Sequence, residues 1–448
     1  MCIRDSYKND PVLLEWCEQL LIKGKFEDAE KFAHVLHEAK DHPSLLMLAR
    51  ALDANGKSKK ATKLLKTQIE KHMGTVGPEM FEVTHLNGKI LASMGKLKSA
   101  EKNLQHSLRI LPQDKCFNAP RASTEYQLAS LQAALGKFHP AQEKFNKAMP
   151  VNCDNGWKTS ARIVDFFVES SSQQTSQSSN GKPFNVSIES EVSPDVELIY
   201  FVAGDVNYCN KFAPSLVKHL EDHAGRKVHL HIHGVSIGDK DPGAKKGVWD
   251  RLRKSLEKES LSISVSSRHI NVNHLTATQI KSIYSFERFW ILPSLLEAYD
   301  KPVLVADLDQ IPLRDPLGLL ADEFDAALLK FPKGVLNILS VISATLSVFR
   351  PTPKGRLLAE QLSEYFTSAF GNDAKLNWHV DQAALAVMDY KNEDANILYL
   401  SPKLVVTDPS KFDPVEATEN GAWFWSVTNS IEGNARKLEL YNSKAPIK

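Results

Sequence analysis

The chain has 448 residues, 42% of them hydrophobic and 24% charged, with Lys+Arg 55 against Asp+Glu 54. Such a length implies about two or three domains, and such a composition excludes wholesale disorder or a fibrous repeat. A formal net charge of +1 excludes the global basic field that attracts nucleic acid, and no window reaches the ~20 apolar residues of a membrane helix.

Met1–Ser6 reads MCIRDS, with no basic region followed by an apolar core, so it is not a secretory signal. The string is similar to translated adapter sequence, which implies a non-native leader over residues 1–9. The cysteines Cys2, Cys17, Cys116, Cys153 and Cys209 are odd in number and never in CxxC spacing. They argue against a disulfide framework or a zinc ribbon and fit a reducing, cytoplasmic setting.

Residues 10–165 carry helical periodicity and a repeated phrase, Gly-Lys with Ala five residues after the Gly. It stands at Gly24/Ala29, Gly56/Ala61, Gly95/Ala100 and Gly136/Ala141, the glycines 32, 39 and 41 residues apart. Gly makes the turn between two helices, and Ala allows the second helix to cross the first closely. A phrase recurring near this period marks a helical solenoid. Small residues precede each Gly by seven positions (Cys17, Ala49, Gly88, Ala129), and apolar ones follow each Ala by four (Ala33, Leu65, Leu104, Phe145). This pattern resembles the tetratricopeptide (TPR) repeat, with insertions around His72–Pro78 and Gln113–Ser123. The resemblance implies a protein or peptide partner and no chemistry of its own.

A polar stretch, Ser170–Gly181, lies in a Ser/Gln-rich linker at 166–194, and an α/β pattern begins at residue 195. Short apolar runs predict strands at Glu197–Ala203, Lys227–Val235, Leu261–Ser266, Pro302–Ala306, Asp325–Leu329 and Leu346–Phe349. Lys211–Asp222 and Thr276–Tyr299 read as helices. Alternation of this kind predicts a mainly parallel sheet covered on both faces.

The strongest chemical signal is the apolar run Val303–Ala306 ending in Asp307-Leu308-Asp309. On a continuing strand the two carboxylates would share one side. Like charges so close favour a cation between them and a ligand. The carboxyl end of a parallel strand is also where open α/β sheets bind ligands. Here the chain resembles the GT-A nucleotide-sugar glycosyltransferases, in particular family 8. Two further matches are Asp205-Val206-Asn207-Tyr208 after the first strand and Asp381-Gln382 in Trp378–Leu385. The resemblance implies an α/β GT-A domain over 195–448 with Asp307 and Asp309 on Mn²⁺ or Mg²⁺. It places Asp205, Asn207 and Tyr208 on the nucleotide, Arg288 or Lys281 at the diphosphate, and Asp381 and Gln382 at the sugar. The donor would be a nucleotide-sugar, a UDP-sugar first, and the reaction retaining, in a bacterial, cytoplasmic enzyme.

Two departures stand out. Family 8 has a further metal-binding histidine near its C-terminus, whereas His379 is the last histidine here, leaving Asp408, Asn429 or water. The small segment beside the sugar keeps only Ala344 within Ile342–Thr345. His229, His231 and His233 alternate along one strand face, a pattern open to a metal but read first as structural. Trp423-Phe424-Trp425 reads first as core. Two rivals are a scaffold protein with TPR-like repeats and a degenerate, binding-only transferase domain, and a nucleotidyltransferase or phosphatase. Against the latter, the chain has neither GxxxxGK[ST] nor GxGxxG.

Overall fold

The structure, a computed structural model, describes residues 11–38, 41–72, 74–149, 191–238, 240–258, 260–272, 275–331, 342–370, 380–406 and 412–426, with 161, 163–165, 168 and 188. The chain divides into two compact units, the first made mainly of Met1–Val168 and the second of Glu169–Pro332 with Leu339–Lys448.

The first unit is a TPR-like array of helical hairpins. Its helices are α1 (Pro11–Ile22), α2 (Phe26–His37), α3 (His42–Ala54), α4 (Ser58–Lys71), α5 (Pro78–Ser93), α6 (Leu97–Ile110), α7 (Asn118–Ala134) and α8 (Phe138–Ala148). The Gly-Lys phrase forms the turn inside each hairpin. Gly24, Gly56, Gly95 and Gly136 all have φ between 71° and 74°, a conformation that costs other residues about 1–2 kcal/mol. In each turn the lysine N–H reaches back five residues, to Leu20, Leu52, Leu91 and Gln132, and the glycine N–H reaches back three. These paired bonds form a Schellman motif, which satisfies the carbonyls left open at a helix end. Ala29, Ala61, Ala100 and Ala141 are fully buried where the helices cross. Closeness is greatest at Gly88, where a Cβ would stand 2.9 Å from Leu104 Cδ2.

The lysine side chains add a contact that the repeat pattern does not announce. Lys57 Nζ pairs with Glu30 Oε1 of the preceding hairpin at 2.7 Å, and Lys137 Nζ with Glu101 Oε2 at 2.8 Å. Both glutamates directly follow a crossing alanine and are buried.

The second unit is built on a mixed seven-stranded sheet. Its strands are β1 (Leu198–Gly204), β2 (Val228–Ile237), β3 (Ser262–Ile270), β4 (Val303–Ala306), β6 (Ala326–Lys330), β7 (Ile342–Phe349) and β8 (Ile397–Leu400), in the order β3-β2-β1-β4-β7-β6-β8. A three-stranded sheet joins β5 (Gln310–Pro312), β10 (Phe424–Ser426) and β9 (Val405–Val406). The expectation of a mainly parallel sheet needs correction at β7, which runs antiparallel to both β4 and β6. The remaining pairs of the larger sheet are parallel.

Helices α9 (Val206–His223) and α10 (Val248–Leu256) pack with Leu198, Tyr200 and Val202 on one face. The other face carries α11 (Ala277–Trp290). Near it run α12 (Leu292–Tyr299), α13 (Pro353–Phe370) and α14 (Val380–Lys391), with α15 (Pro414–Glu419) further along the chain. Phe286 of α11 stacks on Phe366 of α13 at 4.8 Å. Burial on both faces explains why the β1 and β4 sequences are continuous apolar runs. The helix expected over Thr276–Tyr299 breaks at Ile291, because Pro293 lacks an N–H and starts a new helix. The helix expected at Lys211–Asp222 begins at Val206, with Asp205 as its cap and Pro214 inside. Phe424 and Trp425 are fully buried, so the aromatic cluster is core.

Gly355 shows how tight this unit is. A Cβ there would run into the backbone oxygen of Arg350 and stand 2.9 Å from Asp325 O. Gly355→Ala is expected to cost about 3 kcal/mol, because backbone must move. Gly24→Ala, with nothing within 4 Å, should cost about 1–2 kcal/mol from its φ alone. Urea unfolding of the two full-length variants gives the comparison; equal midpoints would contradict it.

Candidate functional site

Chain order runs β1, β2, β3 outward on one side and then returns to β4 on the other side of β1. The strand order therefore reverses between β1 and β4, two parallel neighbours. Outside the carboxyl ends of such a pair, an open α/β sheet leaves a crevice for ligands. Asp205 follows β1 there, and Asp307 follows β4.

Asp307-Leu308-Asp309 does not continue the strand. The Gln310 N–H donates to Asp307 O at 3.0 Å, closing a turn between β4 and β5. Strand alternation therefore does not place the two carboxylates as expected; turn geometry sets them, because β5 leaves the large sheet to pair with β10. Asp309 is buried, while the Asp307 side chain is 31% exposed.

Arg288 is the centre of the arrangement. It lies on α11, buried, with Nε donating to Ser285 O at 2.9 Å. One terminal nitrogen pairs with Asp307 Oδ1, and the other with Asp381 Oδ2 at 3.1 Å. The guanidinium expected at a diphosphate is thus paired with two side chains of the chain itself. Its planar fork is occupied by two carboxylates, an arrangement guanidinium geometry favours. Burial pushes the Asp307 carboxyl up; Arg288 opposes that shift, and Asp309 and Asp381 add to it. For Arg288, burial opposes the cation, yet Asp307 and Asp381 hold its pKa above the ordinary value.

The other expected residues fall around this centre. Asp205 caps α9, its Oδ1 accepting the N–H of Asn207 at 2.8 Å and of Tyr208 at 2.9 Å. Asn207 is exposed. The Tyr208 ring packs on Phe212 at 4.6 Å, and its hydroxyl lies close enough to Asp309 to feel its charge. Burial, then Asp309 and Asp307, pushes the Tyr208 hydroxyl up. Lys281 is exposed, two turns before Arg288 on α11. Asp381 is buried in the first turn of α14, and the Gln382 N–H donates to its Oδ1 at 2.8 Å. His379, Asp408 and Asn429 lie outside the described residues. Among the described residues no group of three His, Cys, Asp or Glu side chains could hold a metal ion. The histidines of β2 instead bond to serines of β3.

Sequence reasoning did not find three features beside this site. The Tyr200 hydroxyl is buried without a hydrogen-bond partner, and burial, then Asp307 and Asp309, pushes it up. Between Leu328 and Leu329 the β6–β7 register shifts, and there the Asp307 N–H donates to Thr345 O at 3.3 Å. Such a bulge re-aims side chains beside a site, here Ser343 and Thr345, whose hydroxyls are 2.9 Å apart. Finally, the Tyr284 hydroxyl donates to Asp241 Oδ2 at 3.2 Å, on the loop after β2. Tyr284 lies one turn from Arg288 on α11, a spacing readable in the sequence.

No protein-family model matches the chain, and no curated protein matches it. Among solved structures it is similar to TPR-like repeats of Podosopora anserina, at 18% identity over 36% of this chain and 87% of that one, TM-score 0.31. It is also similar to PilF of Pseudomonas aeruginosa, at 15% identity over 36% of this chain and 68% of that one, TM-score 0.31. MamA from Desulfovibrio magneticus is 14% identical over 35% of this chain and 84% of that one, TM-score 0.29. At these scores the repeat assignment rests on the chain's own glycine turns and hairpins.

Proposed function

We propose that the second unit is a metal-dependent, retaining glycosyltransferase of GT-A type that takes a nucleotide-sugar, a UDP-sugar first, and passes the sugar to an acceptor hydroxyl. The observation that carries this reading is the gathering of Asp307, Asp309, Arg288 and Asp381 outside the carboxyl end of β4, where the strand order reverses. The donor set fits Mn²⁺ or Mg²⁺. Asp307 and Asp309 offer hard oxygen ligands, and water and phosphate oxygens can fill the rest of an octahedral shell. A divalent ion there would neutralise the charge that builds on the departing diphosphate.

The chain's own residues then have separate tasks. Arg288 orients Asp307 and Asp381 and offsets their charge. Tyr208 sets its hydroxyl beside Asp309. Lys281, exposed on the same helix, is the cation available to phosphate. Asp205 orders the first turn of α9, presenting Asn207 to the nucleotide, and Gln382 offers an amide to sugar hydroxyls. The TPR-like unit binds a protein or peptide, either the acceptor or a positioning partner.

The test is Mn²⁺-stimulated hydrolysis of a panel of sugar nucleotides by the full chain. Asp307→Asn and Asp309→Asn are each expected to lower it at least about a hundredfold, the range seen when a main electrostatic contact is removed. Retained turnover in both variants would refute the assignment. One observation favours the second reading, a binding-only domain: Arg288 already occupies Asp307 and Asp381. In that case sugar nucleotides bind, by calorimetry, but are not turned over.

A further inference from the structure

On the α11 side of the sheet, β2 and β3 carry a continuous ladder of imidazoles and hydroxyls. His229 Nδ1 lies 2.8 Å from Ser262 Oγ and its Nε2 2.7 Å from Ser264 Oγ. His231 Nδ1 lies 2.8 Å from Ser264 Oγ and its Nε2 2.8 Å from Ser266 Oγ. His233 Nδ1 lies 2.8 Å from Ser266 Oγ. Parallel in-register pairing produces this, since His229, His231 and His233 stand opposite Ser262, Ser264 and Ser266. Tyr299 of α12 braces the middle, its hydroxyl 2.8 Å from His231 Nδ1 and 2.9 Å from Ser264 Oγ. Ser262 is exposed, whereas all three histidines are buried.

The inner end is Glu287. His233 Nε2 makes no hydrogen bond, and the group it faces is Glu287, its Oε1 3.5 Å away. Glu287 is 1% exposed and pairs with Arg268 of β3 at 3.0 Å. Its neighbour Arg288 points away, to Asp307 and Asp381. As the partner of Arg268, Glu287 is a carboxylate, and a carboxylate only accepts.

That single constraint propagates. His233 Nε2 must carry the proton facing Glu287, so its Nδ1 accepts from Ser266. Ser266 then accepts from His231 Nε2–H, and His231 Nδ1 accepts from Ser264 or Tyr299. Ser264 accepts from His229 Nε2–H, and His229 Nδ1 accepts from Ser262. In this pattern each imidazole carries its proton on Nε2, and all three point one way.

The geometry points to a proton relay, running from solvent at Ser262 through His229, Ser264, His231, Ser266 and His233 to the buried carboxylate of Glu287 and reversible along the same bonds. It is independent of what the crevice binds. The step balances. One proton is taken from solvent at Ser262 Oγ, each O–H or N–H passes its own proton to the next atom, and Glu287 Oε1 gains one. Only O–H and N–H bonds form and break, and nothing is oxidised or reduced. Imidazole, able to give from one nitrogen while taking at the other, is suited to this task. The relay gives solvent protons access to Glu287, hence to its pairing with Arg268, on the helix that holds Arg288.

The experiment uses the full-length protein labelled with ¹⁵N-histidine. Long-range ¹H–¹⁵N spectra at neutral pH should assign Nε2–H to all three residues; an Nδ1–H form in any of them overturns the relay. Exchange of the His233 imidazole proton with solvent is then measured in wild type, Ser266→Ala and Ser266→Thr. The alanine should slow it by about tenfold or more, because its methyl cannot pass a proton, and threonine should restore it. Equal exchange in wild type and Ser266→Ala overturns the relay. If Ser266→Ala fails to fold, the wild-type tautomers and the corresponding Ser262→Ala exchange decide in the same way.

Discussion

Arg288→Ala is expected to destabilise the second unit by about 3–5 kcal/mol, the usual cost of removing one partner from a buried charge network. Asp381 would be left buried beside Asp307 with no cation, and Asp309 adds a third carboxylate nearby. The figure belongs to the lower end, since the Asp307 side chain is 31% exposed and water can repay part of the loss. Arg288→Lys should recover only part of the stability, because an ammonium cannot donate to both carboxylates in a planar fork. Urea unfolding followed by tryptophan fluorescence measures this. Asp381→Asn in the Arg288→Ala background should be milder than the two single losses added, since the partners act as one network. Added Mn²⁺ should stabilise Arg288→Ala more than wild type if Asp307 and Asp309 hold metal. An Arg288→Ala protein as stable as wild type would mean that the three side chains are not coupled.

Acid should unfold the second unit well before ordinary carboxylate titration is complete. Burial lowers the His229 pKa to about 4, and burial followed by His233 and His229 takes His231 well below its usual value. Both are neutral in the folded chain and protonate near pH 6.5 when unfolded. A depressed folded-state pKa contributes stability above about pH 6.5 that is lost as pH falls toward 4. For His229 alone the loss is about 3 kcal/mol across that window. Asp307 works the other way: its raised carboxyl pKa adds stability as pH falls, but it is one group against two histidines. Urea midpoints measured from pH 7.5 to 4.5 should fall steeply below 6.5, and His229→Gln should flatten the profile. A profile level down to pH 4.5 would contradict the burial of neutral histidines.

Local rules made parts of this molecule readable in advance. The Gly-Lys phrase located the hairpin turns, because a left-handed residue at a helix end strongly favours glycine. The run Val303–Ala306 announced β4, because only a strand buried on both faces is so evenly apolar. What failed was nonlocal. Nothing near Arg288 in sequence says that Asp381, 93 residues away, shares its guanidinium with Asp307. The turn at Asp307–Gln310 escaped detection because pairing with distant Phe424–Ser426 draws β5 out of the large sheet. The histidine–serine ladder was half visible: the alternation of His229, His231 and His233 was plain, but their partners depended on the β2–β3 register.

The lysine–glutamate pairs of the first unit have a mechanical consequence. Lys57 ties the second hairpin to Glu30 of the first, and Lys137 ties the fourth to Glu101 of the third. At the second-to-third boundary Thr62 stands where a glutamate would be needed. In a linear array, stability is a sum of repeat terms and nearest-neighbour couplings. The second-to-third boundary is spanned instead by His42 of α3 and Glu82 of α5, 2.8 Å apart with the glutamate exposed, so the three links are unequal and the middle one is the weakest. Such an array should yield first at its central seam, and amide exchange should be faster along α4 and the start of α5 than within the hairpin pair on either side. A pulling force or a bulky ligand would then bend the array at its middle, where Thr62 replaces the buried glutamate that the other two boundaries use.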